Sequence, residues 1–431
     1  MIRCFHVLFS ARSLPYDLTQ HPVSLTAVNV VQLRGEVSRL SRPSKGTDPS
    51  KWADFSSQLD ELRKLERFRS LVPSTFQGIR LTDPGGRTLI NFGSNDYLGL
   101  AADPTDPEHR LEKQSHRVGS GASALVCGWT DRHERLASEL ARFEEAERVV
   151  VFPSGFAACS GVVATLARAG DLIVSDQLNH ASLIDGCRLS KAETVIYPHR
   201  DVEAVRAVLA ARRHQYRRVW IVTDTVFGMD GDLAPLNELC DVAEEFEGEV
   251  IADEAHATGV LGEHGSGACE ALSLKSKIAI RIGTLSKALA SQGGFVACPS
   301  VIGEFLVNRC RSLIYSTSLA LPSVEQAIAM IADTDLLARR RDRVCRLAAA
   351  LRRDLGITAP PIESQIPIVP VLIGEDHAAV AASKQLREQG LFVPAIRPPT
   401  VPEGLARLRI SLSAAHTDAM ISHLVEGLRS I

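Results

Sequence analysis

The sequence predicts an α/β protein: a large domain built on a mainly parallel sheet, followed by a smaller C-terminal α+β domain. Three observations carry this. From about Gly93 to Leu321, short continuous apolar runs alternate with helical stretches, the pattern of parallel strands covered on both faces. After Pro322 the pattern changes to a long Arg- and Ala-rich helical stretch and then shorter mixed elements. Two of the apolar runs end in chemistry: Val250-Ile-Ala-Asp253-Glu-Ala-His256 and Ile282-Gly-Thr284-Leu-Ser-Lys287. Ligands of such sheets sit at the carboxyl ends of the strands.

The chain has 431 residues and a formal net charge of −3, room for two or three domains. No basic excess points to nucleic acid, and no apolar run is long enough to span a membrane. The nine cysteines are scattered without a Cys-x-x-Cys pair, which fits a reducing, cytoplasmic setting better than a disulfide framework.

Residues 1–50 read as an extension, poorly ordered; Met1 to Leu14 is apolar with Arg3 and Arg12, a pattern shared with targeting peptides. Residues 51–92 hold a helix and a hairpin. Trp52, Phe55, Leu59, Leu62, Leu65 and Phe68 recur at helical spacing from Lys51 to Arg69. Runs at 78–82 and 88–92 flank the turn Asp83-Pro-Gly-Gly86.

Residues 93–321 form the large domain. Strands are expected at Arg148–Phe152, Asp171–Ser175, Glu193–Tyr197, Arg218–Thr223 and from Val250, with helices at Gly155–Ala169 and Leu236–Glu247. Residues 322–431 form the small domain, with a helix at Leu336–Leu355, a strand at Ile366–Ile373, a helix at Ala378–Gln389, and strands at Leu391–Val393 and Leu408–Leu412.

Lys287 lies among Thr, Ser, Ala and Gly. A solvated loop lysine is the ordinary alternative, but small neighbours leave room for a planar ring, and burial makes a lysine a better nucleophile and base. Asp253 could cap a turn; a carboxylate there could equally keep a pyridine nitrogen protonated, with His256 reaching a ring hydroxyl. Lys, Asp and His on strand ends of one sheet suit pyridoxal 5'-phosphate. Ser154-Gly155-Phe156 runs from a strand into a helix, whose free N–H groups can hold phosphate, although many α/β loops look alike. His180, near a helix start, is either a capping residue or a group that stacks on a flat ring. In Ala395-Ile-Arg397-Pro-Pro-Thr400-Val-Pro402 the prolines stiffen a loop, and a fixed guanidinium suits a carboxylate. Arg407 reads as a solvated turn residue and Arg409 as a strand residue.

Together, Asn91-Phe-Gly-Ser-Asn95-Asp-Tyr-Leu-Gly-Leu100, Gly119-Ser-Gly121, Asn179-His180-Ala-Ser, Met229-Asp-Gly-Asp232, Asp253-Glu-Ala-His256, Thr284-Leu-Ser-Lys287 and Tyr315-Ser-Thr-Ser318 resemble the α-oxoamine synthases. These are pyridoxal-phosphate transferases of fold type I, and the resemblance runs from about Leu62 to the C-terminus. It implies joining of an amino acid to an acyl thioester with loss of carbon dioxide. The Ala395–Pro402 loop is most similar to members that use L-alanine and a pimeloyl thioester, on coenzyme A or an acyl carrier protein, in biotin synthesis. Glycine C-acetyltransferase, a long-chain acyl synthase and a catalytically silent binding partner remain as alternatives.

By the same resemblance, Lys287 holds the cofactor covalently, Asp253 pairs with its ring nitrogen and His256 with its ring oxygen, and His180 stacks on the ring. Gly155, Phe156 and Thr284 bind it too. Ser316 and Thr317 reach the phosphate of a partner subunit, which implies a homodimer. Asn95 and Arg409 hold the amino-acid carboxylate, Arg69 and Thr400 contact substrate, and Arg397 responds nearby. One departure stands out: Gly228 occupies a position where the family usually has a serine that contacts the cofactor.

Overall fold

The computed structural model describes residues 49–101 and 118–431; most of the expected N-terminal extension lies outside them. The chain divides into two compact units, residues 1–62 and 63–431.

In the first unit, a turn of 3₁₀ helix leads into helix α1 (Ala53–Lys64). The periodicity is helical as expected, but α1 buries none of its residues: Trp52 and Phe55 are each 55% exposed. The helix also stops before Arg69. Glu66 takes a left-handed conformation (φ 55°), and Arg67 is drawn away by Asp376 at 2.8 Å and Glu403 at 2.6 Å. Ion pairs to residues distant in sequence thus accompany the end of a helix that propensity alone would continue.

In the second unit, β1 (Thr75–Gln77), β2 (Arg80–Thr82) and β3 (Thr88–Asn91) form an antiparallel meander. The Asp83 turn is closed as its sequence predicts: the Asp83 carboxylate accepts from the N–H groups of Gly85 and Arg87, both at 3.0 Å.

The core of the unit is a seven-stranded sheet made of β4 (Arg148–Phe152), β5 (Asp171–Asp176), β6 (Glu193–Tyr197), β7 (Arg218–Asp224), β8 (Glu249–Asp253), β9 (Ile280–Thr284) and β10 (Gly294–Cys298). Its order is β4-β10-β9-β8-β7-β5-β6. All neighbours are parallel except β10, which is antiparallel to both β4 and β9. The expected mainly parallel sheet is therefore present. The strand missing from the sequence reading is β10. Its Phe-Val-Ala-Cys run follows Gly293, and in sequence the pair Gly293-Gly294 signals space beside Lys287 rather than the start of a strand. Every residue of β5, β9 and β10 is buried, because helices cover both faces.

The stretch after Pro322 is two helices, α2 (Leu321–Ala332) and α3 (Thr334–Asp354), parted at Asp333, whose side chain caps the second by accepting from the Leu336 N–H at 3.0 Å. A three-stranded antiparallel sheet follows, in the order β11 (Ile368–Gly374), β14 (Ala406–Ser411), β13 (Ala395–Ile396). Strand β12 (Leu391–Phe392) instead joins β3 in parallel, which ties the N-terminal hairpin to the C-terminal part of the chain. Among the described residues no helix is long and apolar enough to cross a membrane.

His199 pins the carboxyl end of β5 to the loop after β7. Its Nδ1 lies 3.0 Å from Asp176 Oδ1 and its Nε2 2.9 Å from Asp232 Oδ2. Burial opposes its charge, but the hydrogen bonds to Asp176 and Asp232 outweigh it and push the pKa up to about 9. A raised folded pKa stabilises fully below the unfolded value near 6.5, and the gain is lost as pH rises through about 9. His199→Gln is therefore expected to lower the urea midpoint near pH 6 by the equivalent of about 2–3 kcal/mol. The gap from wild type should narrow by pH 10; a pH-independent gap would refute the charge assignment.

Candidate active site

Neighbouring strand ends bring the chemical residues together. Asp224 at the end of β7 and Asp253 at the end of β8 are register partners, and both are buried. Lys287 follows β9 by three residues. No hydrogen bond or ion pair engages its amine within the described residues, and it is half-buried. Desolvation lowers its pKa, against the opposing fields of Asp253 and Asp224, which leaves a larger neutral fraction of the amine. The same crowding raises the Asp224 pKa well above its ordinary value, through burial first and Asp253 next.

Asp253 is held on both oxygens. Oδ1 accepts from the Ala255 N–H at 2.9 Å and Oδ2 from the Cys159 thiol at 3.0 Å. Burial, and then Asp253 itself, pushes the Cys159 pKa well up, so the thiol remains a donor. Asn179 braces the same edge, giving Nδ2–H to the Val222 carbonyl at 2.7 Å and accepting from the Asp224 N–H at 2.9 Å. The Asp224 carboxylate accepts from the His180 N–H at 2.6 Å. The His180 side chain accepts from the Ser182 N–H at 3.3 Å and caps helix 181–189, while the residue itself stays exposed. It caps as the ordinary reading holds, and its ring remains accessible.

At the opposite end of the same sheet edge, Ser154 caps the helix that begins at Gly155, accepting from the Ala157 N–H at 3.1 Å. Thr284 is buried beside it: a Cβ at Gly155 would stand 3.2 Å from Thr284 Oγ1. A Cβ at Gly294 would meet the Ser154 carbonyl at 2.6 Å, so glycine is required where β10 passes the helix start. Phe156 is 49% exposed.

The third component comes from outside the sheet. Arg409 in β14 is buried. Its Nε donates to the Gly228 carbonyl, and its Nη1 donates to Asn95 Oδ1 at 3.1 Å and Ser411 Oγ at 2.6 Å. Its Nη2 is buried with no partner. An unmet guanidinium donor is costly without an acceptor, and a substrate carboxylate is the acceptor that suits it. Arg407, for which a solvated turn position is the alternative in sequence, is instead buried and pairs with Asp230: both faces of β14 are covered, and every residue of the strand is buried.

Arg69, Arg397 and Thr400 lie together. Arg69 donates to Thr400 Oγ1 at 2.9 Å, Arg397 donates to the Glu66 carbonyl, and the three line a cleft of about 130 Å³ with Arg67. No contact within one chain brings Ser316 or Thr317 to Lys287; Thr317 bridges to Ser123 instead.

Gly228 faces His256: a Cβ there would lie 2.4 Å from His256 Nε2. His256 Nδ1 is 2.6 Å from the Tyr97 hydroxyl, which is 3.2 Å from Asn95 Oδ1. Tyr97, Asp224, Cys159 and Ser411 are the site residues that sequence reasoning missed. Tyr97 lay within a quoted motif and Asp224 ended a strand already recognised; nothing in the sequence marked Cys159.

The aminotransferase class I and II family model matches residues 87–428. The chain belongs to that family. It is 41% identical over 348 residues to the 8-amino-7-oxononanoate synthase of Lysinibacillus sphaericus, covering 80% of this chain and 89% of that one. The structure resembles a serine palmitoyltransferase from S. paucimobilis solved with bound PLP–myriocin (TM-score 0.80, 28% identity, 89% of this chain and 98% of that one). It also resembles 8-amino-7-oxononanoate synthase from Francisella tularensis (TM-score 0.66, 25% identity, 79% and 97%). These are α-oxoamine synthases, so the resemblance read from the sequence holds, and the fold is that of the type I pyridoxal-phosphate enzymes.

Glu254, beside Asp253, is a structural acid. It accepts from Thr225 Oγ1 at 2.8 Å and from the N–H groups of Ala268 and Cys269 at 2.9 and 2.8 Å. Glu254→Ala leaves the buried N–H groups of Ala268 and Cys269 unmet, while Thr225 Oγ1 keeps the Asp253 carbonyl at 3.1 Å, and is expected to cost about 3–5 kcal/mol in urea unfolding. A variant of wild-type stability would contradict this role.

Proposed function

We propose that this enzyme condenses L-alanine with a pimeloyl thioester to 8-amino-7-oxononanoate, with loss of carbon dioxide, in biotin synthesis. The observation that carries the reading is the buried, unpartnered Nη2 of Arg409, on the same side chain that ties Asn95 to Gly228 beside His256. That arrangement fits a small amino acid held by its carboxylate within reach of a desolvated lysine. The cofactor is pyridoxal phosphate, and when bound it supplies an electron sink for the α-carbon of the amino acid.

The chain's own groups then have distinct tasks. Lys287 would hold the cofactor covalently, and its Nζ, when free, would take the α-proton of the amino acid and return one to the same carbon. Asp253, fixed by Ala255 and Cys159, would keep the ring nitrogen protonated. His180 would stack on the ring and His256 would pair with its oxygen. The N–H groups of Gly155 and Phe156, with Thr284, would hold the phosphate. Arg409 and Asn95 orient the alanine carboxylate so that its Cα–H points at Lys287. Arg69, Arg397 and Thr400 line the route of the acyl chain.

The enzyme works as a cytoplasmic homodimer in this reading, with Ser316 and Thr317 serving the partner's phosphate. Exposed apolar surface near them supports this: Leu125, Val126 and Tyr315 are 53%, 77% and 73% exposed. A cavity of about 340 Å³ lies between Leu125, Trp129, β4 and Leu313.

Assay with a panel of amino acids and acyl thioesters tests the reaction; glycine with acetyl-CoA outperforming alanine with a pimeloyl thioester would replace it. Lys287→Ala should abolish turnover and the cofactor's bound absorption band, and borohydride should label Lys287 in wild type. A label on another lysine would end the assignment. Arg409→Lys should raise KM for alanine and lower kcat/KM, since an ammonium lacks the two-pronged geometry. An unaltered KM would show that Arg409 serves only the fold. Preference for alanine over glycine should be modest, because one methyl group is worth roughly 1–3 kcal/mol.

A further inference from the structure

His256 is held from two sides by residues that have no place in the roles above. On one side stands the Tyr97 hydroxyl, 2.6 Å from Nδ1. On the other is Gly228, where any Cβ would come within 2.4 Å of Nε2 and 2.9 Å of Cε1. Tyr97 is fully buried, so its hydroxyl proton must go to a protein acceptor.

Two acceptors are in reach. Asn95 Oδ1 is 3.2 Å away, long for a hydroxyl hydrogen bond, and already takes the cationic Arg409 Nη1–H at 3.1 Å. His256 Nδ1 is at 2.6 Å, and the imidazole is neutral: burial first, then the charges of Lys287, Arg409 and His180, press its pKa well down. A neutral imidazole has one acceptor nitrogen and one donor nitrogen. When Nδ1 accepts from Tyr97, the ring proton is on Nε2.

We propose that Tyr97 and Gly228 are positioning residues that keep the ring proton of His256 on Nε2 and leave room for that N–H above the Gly228 backbone. Gly228 is fixed in turn by Arg409, whose Nε–H its carbonyl accepts. A side chain at 228 would have to push the His256 ring off Tyr97. The glycine therefore makes His256 itself the donor in the space that a residue-228 side chain would otherwise fill. This rests on the functional reading only in its consequence: an Nε2–H there is a donor to the cofactor's ring oxygen.

The test uses the full-length enzyme labelled with ¹⁵N-histidine, with and without pyridoxal phosphate. Two-bond ¹⁵N–¹H couplings report which nitrogen carries the proton, and His256 is assigned by the signal lost in His256→Asn. Wild type should show the Nε2–H form. Tyr97→Phe, nearly isosteric, should move population to Nδ1–H. Gly228→Ala should shift the His256 signals and raise the dissociation constant for pyridoxal phosphate about tenfold or more, the scale of an overpacked contact. An Nδ1–H form in wild type overturns the proposal whether or not the variants fold. So does an unchanged Nε2–H form in Tyr97→Phe, or unchanged His256 signals in Gly228→Ala. Failure of the synthase assay would sink the proposed reaction without touching the tautomer, and the wrong tautomer would sink this inference with the reaction intact.

Discussion

Two carboxylates, Asp224 and Asp253, stand side by side on the buried ends of β7 and β8, and the site is built around the cost of keeping them there. Like charges at low dielectric disfavour joint ionisation, and the structure divides the burden unequally. Asp253 takes a donor on each oxygen, from Ala255 and Cys159. Asp224 takes the His180 N–H and has its pKa raised well up by burial and by Asp253. The nearby ammonium of Lys287 is itself partly desolvated. Burial lowers the pKa of the amine even with the two carboxylates beside it, which oppose that shift. A surface lysine and a surface aspartate could not arrange this, because water would screen both.

The wider fold follows from this demand. Parallel strands deliver side chains to one edge, and two helix starts, at Gly155 and Ala181, supply backbone N–H groups along that edge. The antiparallel strand β10 returns Gly293 and Gly294 to the Lys287 loop, where the Gly293 carbonyl accepts from Thr284 Oγ1 at 2.9 Å and Ser286 Oγ at 3.2 Å. That lattice sets the loop without a side chain large enough to fill the cleft. From the C-terminal sheet comes a positive charge with a buried, open donor, Arg409 Nη2. Its other nitrogens are held by Gly228, Asn95 and Ser411, so its orientation is fixed within the chain.

The parts legible in the sequence were those encoded locally. Apolar runs ending in Asp253 and in Thr284-Leu-Ser-Lys287 declare a buried strand and its chemistry within a dozen residues. The Asp83 turn and the alternation of strands and helices are similarly local. What stayed hidden depends on distant partners. The five residues of β10 carry no alternation, since the strand is buried on both faces, and nothing local shows that it runs backwards between β4 and β9. The stop of α1 is accompanied by ion pairs to Asp376 and Glu403, more than 300 positions away. Cys159 looks like any small apolar helix residue, and only the fold places its thiol against Asp253. Arg407 and Arg409 have the same local look, and the two acceptors that separate their roles, Asp230 and Gly228, lie in another part of the chain.

Gly228 shows how a departure from a family pattern is read physically. By sequence it is a lost hydroxyl, and the natural concern is a weakened site. In the structure the Cα of residue 228 is the floor under His256 Nε2, with no space for a Cβ, and its carbonyl is an anchor of Arg409. One residue therefore stands against both His256 and Arg409, through its backbone alone. Restoring a serine would add a donor but displace the imidazole from Tyr97, because the interior is too closely packed to admit both. The glycine and the His256–Tyr97 contact form one solution to the placement of a single donor, and they must change together.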